Sequence, residues 1–274
     1  MNEQNKIDWD AWKCRCSALG NIMTNPQTKA DKEAGNLSQT TKTFLLKEYI
    51  RVKYGREKEI ESKYLTKGLN VEEDNITLLS RNKKRFFKKN TEKLENKWIK
   101  GTPDVFEGEV ILNAIGIIDA KSSWDIYTFY DAVLDMVTGG INPMYKWQGT
   151  GYMDLSGAKW FKLCYGLINT PYALIEQEKS RLLYKFGGHL ALEGNQVAGE
   201  AYLKACEEID RLMNYDDIPI DEKIIEIHID RNNDEIEMVH KKVEKCREYL
   251  KYLDATLRPA ILASYMKQLP ETAQ

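Results

Sequence analysis

Histidine is scarce in this chain, with 3 in 274 residues, His189, His228 and His240. They lack the paired spacing of a histidine metal finger, so each is expected to be structural or exposed. No apolar run approaches the ~20 residues of a membrane-crossing helix. The segment MNEQNKIDWDAWK is acidic and polar where a secretory signal is basic and then apolar. A cytoplasmic protein is expected. The 5 cysteines, Cys14, Cys16, Cys164, Cys206 and Cys246, are odd in number and scattered, which excludes a disulfide framework. An excess of either charge is missing too. With 40 basic and 42 acidic residues the net charge is −2, so the chain lacks the overall electrostatic footprint of a strongly basic nucleic-acid-binding domain. There is no internal repeat and no low-complexity tract.

What remains is a chain with 42% hydrophobic residues, long enough to bury a sizeable core within one elaborated domain, 1–274. Ser38 has the character of an N-cap for a helix over 41–54 that Gly55 stops, and a second helix is expected over 60–79. Strands are expected over 85–88, 98–106 and 113–122, with turns at 90–96 and around Gly108. Asn142 and Pro143 mark the N-cap and first turn of a helix that runs to Ser156 and stops at Gly157. A buried strand over 160–168 follows, broken by Asn169-Thr170-Pro171. The segment 172–274 is mostly helical in pattern, with a strand-like stretch at 224–229. Over 234–253 a stripe of Val239, Val243, Cys246 and Leu250 points to core or to a subunit contact. The whole is an α/β (α+β) order, helices flanking a sheet.

Between Gly101 and Ser123 the chain reads GTPDVFEGEVILNAIGIIDAKSS. Ile115, Ile117 and Ile118 form a β-branched run expected to be a buried strand. Asp119 and Lys121 leave its end on one face, because side chains alternate with period 2. With 102–106 as the neighbouring strand, Asp104 reaches the same spot. Two carboxylates converging beside a lysine can hold Mg²⁺ next to a positive group, a combination suited to attack of water on a phosphodiester. An acid-x-Lys triplet is common in a chain with 30% charged residues. Glu61-Ser62-Lys63, Glu95-Asn96-Lys97 and Asp221-Glu222-Lys223 match it as well, but only Asp119-Ala120-Lys121 ends an apolar run. The plain alternative is a salt-bridged strand end, with Lys121 neutralising a carboxylate at a sheet edge.

Four segments in order resemble the PD-(D/E)xK nucleases, and among them the phage-type, lambda-exonuclease-like recombination exonucleases. Lys67-Gly68-Leu69-Asn70-Val71-Glu72 is similar to the family's Gly-x-x-x-Glu helix, and Gly101-Thr102-Pro103-Asp104 to its first metal ligand. Asp119-Ala120-Lys121 is similar to its second ligand and lysine, and Gln148-Gly149-Thr150-Gly151-Tyr152 to its Gln-x-x-x-Tyr motif. The motif-bearing core spans about 60–171, and the likeness stops there, leaving a helical extension over 172–274.

The resemblance implies a restriction-endonuclease-like core with a central mixed sheet, and a DNA exonuclease acting 5′ to 3′ on linear duplex in recombination. It implies Mg²⁺, with Mn²⁺ able to substitute, held by Asp104, Asp119, the Ala120 carbonyl and Glu72, with Glu73 a rival for the last place. Lys121 would act on the attacking water, and Gln148 and Tyr152 would contact the phosphate or the lysine. It further implies duplex DNA with a free end as substrate, a single-strand annealing protein as partner and a ring-shaped homotrimer. A structure-specific or nicking endonuclease on the same core is the alternative, and a non-catalytic DNA-binding or assembly protein is the reading from another class. Some relatives carry an iron–sulfur cluster, against which stand the Cys14-x-Cys16 spacing and the lack of a cysteine cluster late in the chain.

Two further places could meet DNA. Arg81 to Lys89 gathers positive charge, Lys83, Lys84 and Arg85 among it, around Phe86 and Phe87, and could track a phosphate backbone. Its bland counterpart is a solvated turn with one phenylalanine packed inward. Arg15 and Ser17 match the small hydroxyl and arginine groups that relatives use to grip a terminal 5′-phosphate, although plain helix capping would also account for Ser17.

Overall fold

The computed structural model describes residues 7–58 and 62–266. The helices are α1 (Leu19–Ile22), α2 (Lys29–Glu33), α3 (Gln39–Tyr54), α4 (Lys63–Asn70), α5 (Glu72–Asn82), α6 (Ile126–Val137), α7 (Pro143–Ser156), α8 (Tyr172–Lys185), α9 (Gly188–Glu193), α10 (Gln196–Met213) and α11 (Asn233–Met266). The strands are β1 (Cys14–Arg15), β2 (Leu94–Glu95), β3 (Ile99–Gly101), β4 (Val105–Glu107), β5 (Gly116–Ser122), β6 (Trp160–Gly166) and β7 (Ile224–Asp230).

The main sheet has the order β4-β5-β6-β7 and is mixed: β5 and β6 are parallel, and β4 and β7 run antiparallel to their neighbours. A smaller sheet, β1-β3-β2, lies alongside. The pleat of β5 divides its residues between two cores. Ile117 joins Phe161 and Leu163 in a large cluster with Leu19, Tyr152, Met153, Val243 and Leu250. Ile118 and Ala120 join Ile76, Leu79, Phe87 and Val105 on the other face. Helices thus cover both faces, which is why β5 is buried along nearly its whole length. Arg247 ties α11 to the opening segment, its guanidinium donating to the Trp12 carbonyl at 2.9 and 2.8 Å and to the Lys97 carbonyl at 2.6 Å.

Several boundaries agree with the sequence. The Ser38 hydroxyl accepts from the Thr41 amide at 3.0 Å, and Gly55 ends α3 in the left-handed region. The Asn142 side chain accepts from the Met144 amide and Gly157 closes α7 with φ +75°. The stripe Val239, Val243, Cys246 and Leu250 is buried in the core. All five cysteines are free thiols. Among the described residues no helix is long and apolar enough to cross a membrane.

Other expectations are corrected. The strand over 98–106 is two strands in different sheets, because Pro103 offers no amide to carry a ladder through. Asp104 sits just before β4, where it is freed from pairing. No strand occupies 85–88: after α5 the chain turns through Lys84 at φ +50°, and Phe87 alone goes inward. The helix over 60–79 breaks at Val71, with residues 59–61 outside the described residues, and its second half opens at Glu72. Residues 111–113 form a 3-10 turn, Ile115 is exposed, and β5 starts at Gly116, where the Trp160 ring covers the backbone.

Candidate active site

β5 carries Asp119 and Lys121 on its α7 side, opposite Leu163 and Tyr165 of β6. Asp119 is fully buried. Its Oδ1 accepts from Gln148 Nε2 at 3.2 Å, and the same Nε2 lies 2.9 Å from the Tyr152 hydroxyl. Gln148 and Tyr152 are one turn apart on α7, so the Tyr152 hydroxyl stands beside the amide that holds the carboxylate. Lys121 Nζ lies 2.7 Å from Asp119 Oδ2 as an ion pair. That ammonium is the one group facing Oδ2, which is buried and has no other donor. Lys121 Nζ also stands 5.5 Å from the centre of the Tyr145 ring.

Asp104 enters from the other side. Its Oδ2 accepts from the Ala120 amide at 2.9 Å. β4 pairs with β5 only as far as Val105 with Ile118, so Ala120 lies beyond the paired stretch. A strand residue turns its N–H and C=O toward the same neighbour, so Ala120 presents both to the Asp104 side. The loop before Asp104 is fixed by Asn90, whose backbone amide donates to the Asp104 carbonyl at 2.7 Å and whose side-chain amide donates to the Pro103 carbonyl at 2.9 Å.

The electrostatics are those of crowded negative charge. Burial, and then the charge of Asp119, push the Asp104 carboxyl up to about 8, against the opposing pull of Lys121 and the Ala120 amide. Burial disfavours the charge on Lys121, but Asp119 and Asp104 outweigh it and hold its pKa above the ordinary lysine value. Burial, reinforced by Asp119, raises the Tyr152 phenol as well, so it stays a neutral hydroxyl.

The donor set suits a hard divalent cation in kind: two carboxylates, one with a buried oxygen that only Lys121 faces, and a backbone carbonyl. Among the described residues no group of three or more His, Cys, Asp or Glu side chains is gathered to hold a metal. Glu72 stands at the first turn of α5 with its carboxylate 3.4 Å from Lys89 Nζ, yet its charge acts on Asp104. The Glu72 side chain is 24% exposed and that of Glu73 is 82% exposed, so Glu72 is the one that faces inward. The other acid-x-Lys triplets lie at the surface: Lys63 pairs with Glu178, Glu95 with Lys13, and Asp221-Glu222 sits in a 3-10 turn, with Glu61 outside the described residues.

The residues expected to meet DNA are more dispersed. Arg15 lies 3.4 Å from Glu48 and 3.6 Å from Glu57. Ser17 is exposed in a 3-10 turn and caps nothing, since Ala18 holds the N-cap of α1 without a side-chain bond. Lys83 pairs with Glu226 at 2.8 Å and Arg85 with Glu107 at 3.2 Å, while Lys84 is exposed. The histidines behave as expected: His240 stacks on Trp98 and bonds Asp154 at 2.7 Å, and His228 bonds Asp230 at 3.0 Å. Sequence reasoning missed Lys89, Asn90 and Tyr145 as neighbours of the site. The basic run ending at Lys89 was the available signal, and it marked only the first of them.

The site is thus a buried acid-x-Lys strand end with a second acid just before the neighbouring strand, on a mixed sheet between helices. Among solved structures the chain is similar to a phage-related exonuclease from Haemophilus somnus, with 27% identity, a TM-score of 0.69 and coverage of 90% of this chain and 97% of that one. It is also similar in fold to an alkaline exonuclease from Laribacter hongkongensis, at 13% identity, a TM-score of 0.57 and coverage of 93% and 97%. The same holds for that enzyme in complex with dAMP, at a TM-score of 0.58. Comparison with protein-family models and with curated proteins finds no match. The likeness to these exonucleases agrees with the resemblance drawn from the motifs: the chain has the fold of the phage-related exonuclease and of the alkaline exonuclease.

Proposed function

We propose that this chain is a Mg²⁺-dependent DNA exonuclease that degrades one strand of linear duplex from a 5′ end, in recombination of the phage type. The observation that carries the reading is the convergence of Asp104 and Asp119 beside Lys121, on the fold shared with the Haemophilus somnus phage-related exonuclease. Asp104, Asp119 and the Ala120 carbonyl would hold the cation, with Glu72 joining once released from Lys89. When bound, Mg²⁺ supplies the positive charge that acidifies water and polarises a phosphoryl oxygen.

The chain's own groups supply the rest. Lys121, held as a cation by its two acids, orients the attacking water and offsets charge growing on the phosphoryl oxygens. Gln148 fixes Asp119, and Tyr152, as a neutral hydroxyl, can donate to the phosphate beside the scissile bond. A single-strand annealing partner and a ring-shaped homotrimer belong to the same proposal through the family resemblance.

The test is incubation of the protein with linear and with covalently closed circular duplex, with Mg²⁺ and with EDTA. Mononucleotides released from the linear duplex alone, and only with Mg²⁺, support the proposal. Rapid nicking of closed circles would transfer it to the endonuclease reading, and hydrolysis in EDTA would remove the metal.

A further inference from the structure

Phenylalanine is costly to leave in water, yet Phe86 is 84% exposed while its neighbour Phe87 is buried. The segment that holds Phe86 out is fixed at both ends. The Phe87 amide donates to Ser80 Oγ at 3.0 Å, anchoring it to α5, and Asn90 binds the Pro103 and Asp104 carbonyls. Arg85 lies over the Phe87 ring at 5.2 Å and pairs with Glu107. The exposed ring is therefore presented by an anchored loop, with no part in the core. The ring lines a groove of about 480 Å³ together with Arg85, Phe87, Lys88, Lys89, Glu92 and Phe106. Lys84 and Lys88 are exposed around it. At the far end of the loop Lys89 reaches Glu72, and Asn90 holds the backbone of Asp104.

An exposed aromatic ring between two exposed lysines, Lys84 and Lys88, fits a ligand with flat apolar faces and a negatively charged backbone. Base-to-aromatic stacking supplies the first and phosphate contacts the second. Bases inside a duplex already have both faces stacked, so a protein ring gains most from a base that has left its pair. Resting on the exonuclease reading, we infer that Phe86 is a stacking platform for an unpaired base of the DNA strand entering the site, with Lys84 and Lys88 holding the adjoining phosphates. A polar protein partner would not call for the ring, and an apolar one would not call for the cations.

The experiment is fluorescence anisotropy of a labelled oligothymidylate of about 12 nucleotides, in EDTA, with wild-type, Phe86→Ala, Phe86→Leu and Phe86→Trp proteins. Stacking on one base predicts roughly 5- to 150-fold weaker binding for the Ala variant, with Leu failing to restore it and Trp restoring it. An oligonucleotide carrying 2-aminopurine should be quenched by wild type and not by the Ala variant. The melting temperature should change little, since Phe86 is 84% exposed. Equal affinity of wild-type and Ala proteins, with Mg²⁺-dependent hydrolysis of DNA intact in both, overturns this inference and leaves the exonuclease reading standing. A change of oligomeric state on sedimentation of the Ala variant, with affinity unchanged, would give the ring to a contact between copies instead. Wild-type protein that neither binds the oligonucleotide nor hydrolyses DNA overturns both.

Discussion

At the scale of single residues, Glu72 and Glu73 show how far adjacent side chains can differ in role. Neighbours on a helix point about 100° apart, so only one of them can face the carboxylate pair. Glu72 is the inward one and Glu73 lies in solvent. Glu72→Gln should lower the rate of Mg²⁺-dependent hydrolysis by roughly 10²-fold, a scale typical for one lost electrostatic contact, whereas Glu73→Gln should change it little. The opposite ranking in a single-turnover assay would move the third acid by one position. Asp104 makes a second prediction. In the unfolded chain it titrates near ~3.9, and in the folded one burial and Asp119 raise it to about 8. The folded state therefore keeps a proton that the unfolded state releases between those values. Its favourable contribution is complete below the lower value and is lost as pH rises through the upper one. The metal-free protein should lose melting temperature between about pH 5 and about pH 8.5, and Asp104→Asn should flatten that slope. Equal slopes in the two proteins would show that Asp104 is an ordinary ionised carboxylate.

Among elements, α7 was the most legible and its glycines the least. Asn142, Pro143 and Gly157 encode its ends through local chemistry, which a sequence displays directly. Gly149 and Gly151 sit inside it at a cost of ~1 kcal/mol each relative to alanine, which asked for close approach of either backbone or DNA. The approach is internal: a Cβ on Gly149 would stand 2.3 Å from the Phe161 ring, and one on Gly151 would stand 2.6 Å from Leu19. Gly149→Ala should destabilise the protein despite its better helix propensity, since overpacking costs about 1–3 kcal/mol. Thermal melting checks it, at roughly 2–4 °C per kcal/mol for a chain near this size. A rise in melting temperature would mean that Phe161 moves aside freely. The strand boundaries around 85–88 and 98–106 were less legible because strand pairing depends on partners distant in sequence. Local composition does not say that the chain leaves one sheet at Gly101 and joins another at Val105.

On the scale of the whole molecule, the acid-x-Lys motif could be read because burial and period-2 alternation write it into a few adjacent residues. The company it keeps could be read only in part: Gln148 came through the Gln-x-x-x-Tyr resemblance, whereas Lys89, Asn90 and Tyr145 reach the site through tertiary packing. The near-neutral net charge gives no sign of the basic run 81–89, which only the local order of residues displays, for a sum over the chain erases arrangement. The central claim is that Asp119 and Lys121 at the end of β5 perform phosphodiester hydrolysis on this fold. Its most direct test is the rate of nucleotide release from linear duplex DNA in saturating Mg²⁺, for wild type against Asp119→Asn and Lys121→Ala, each first shown to be folded by circular dichroism. The prediction is clear release by wild type and a fall on the order of 10²–10³-fold or more in each variant. Folded variants that release nucleotides at the wild-type rate would contradict it.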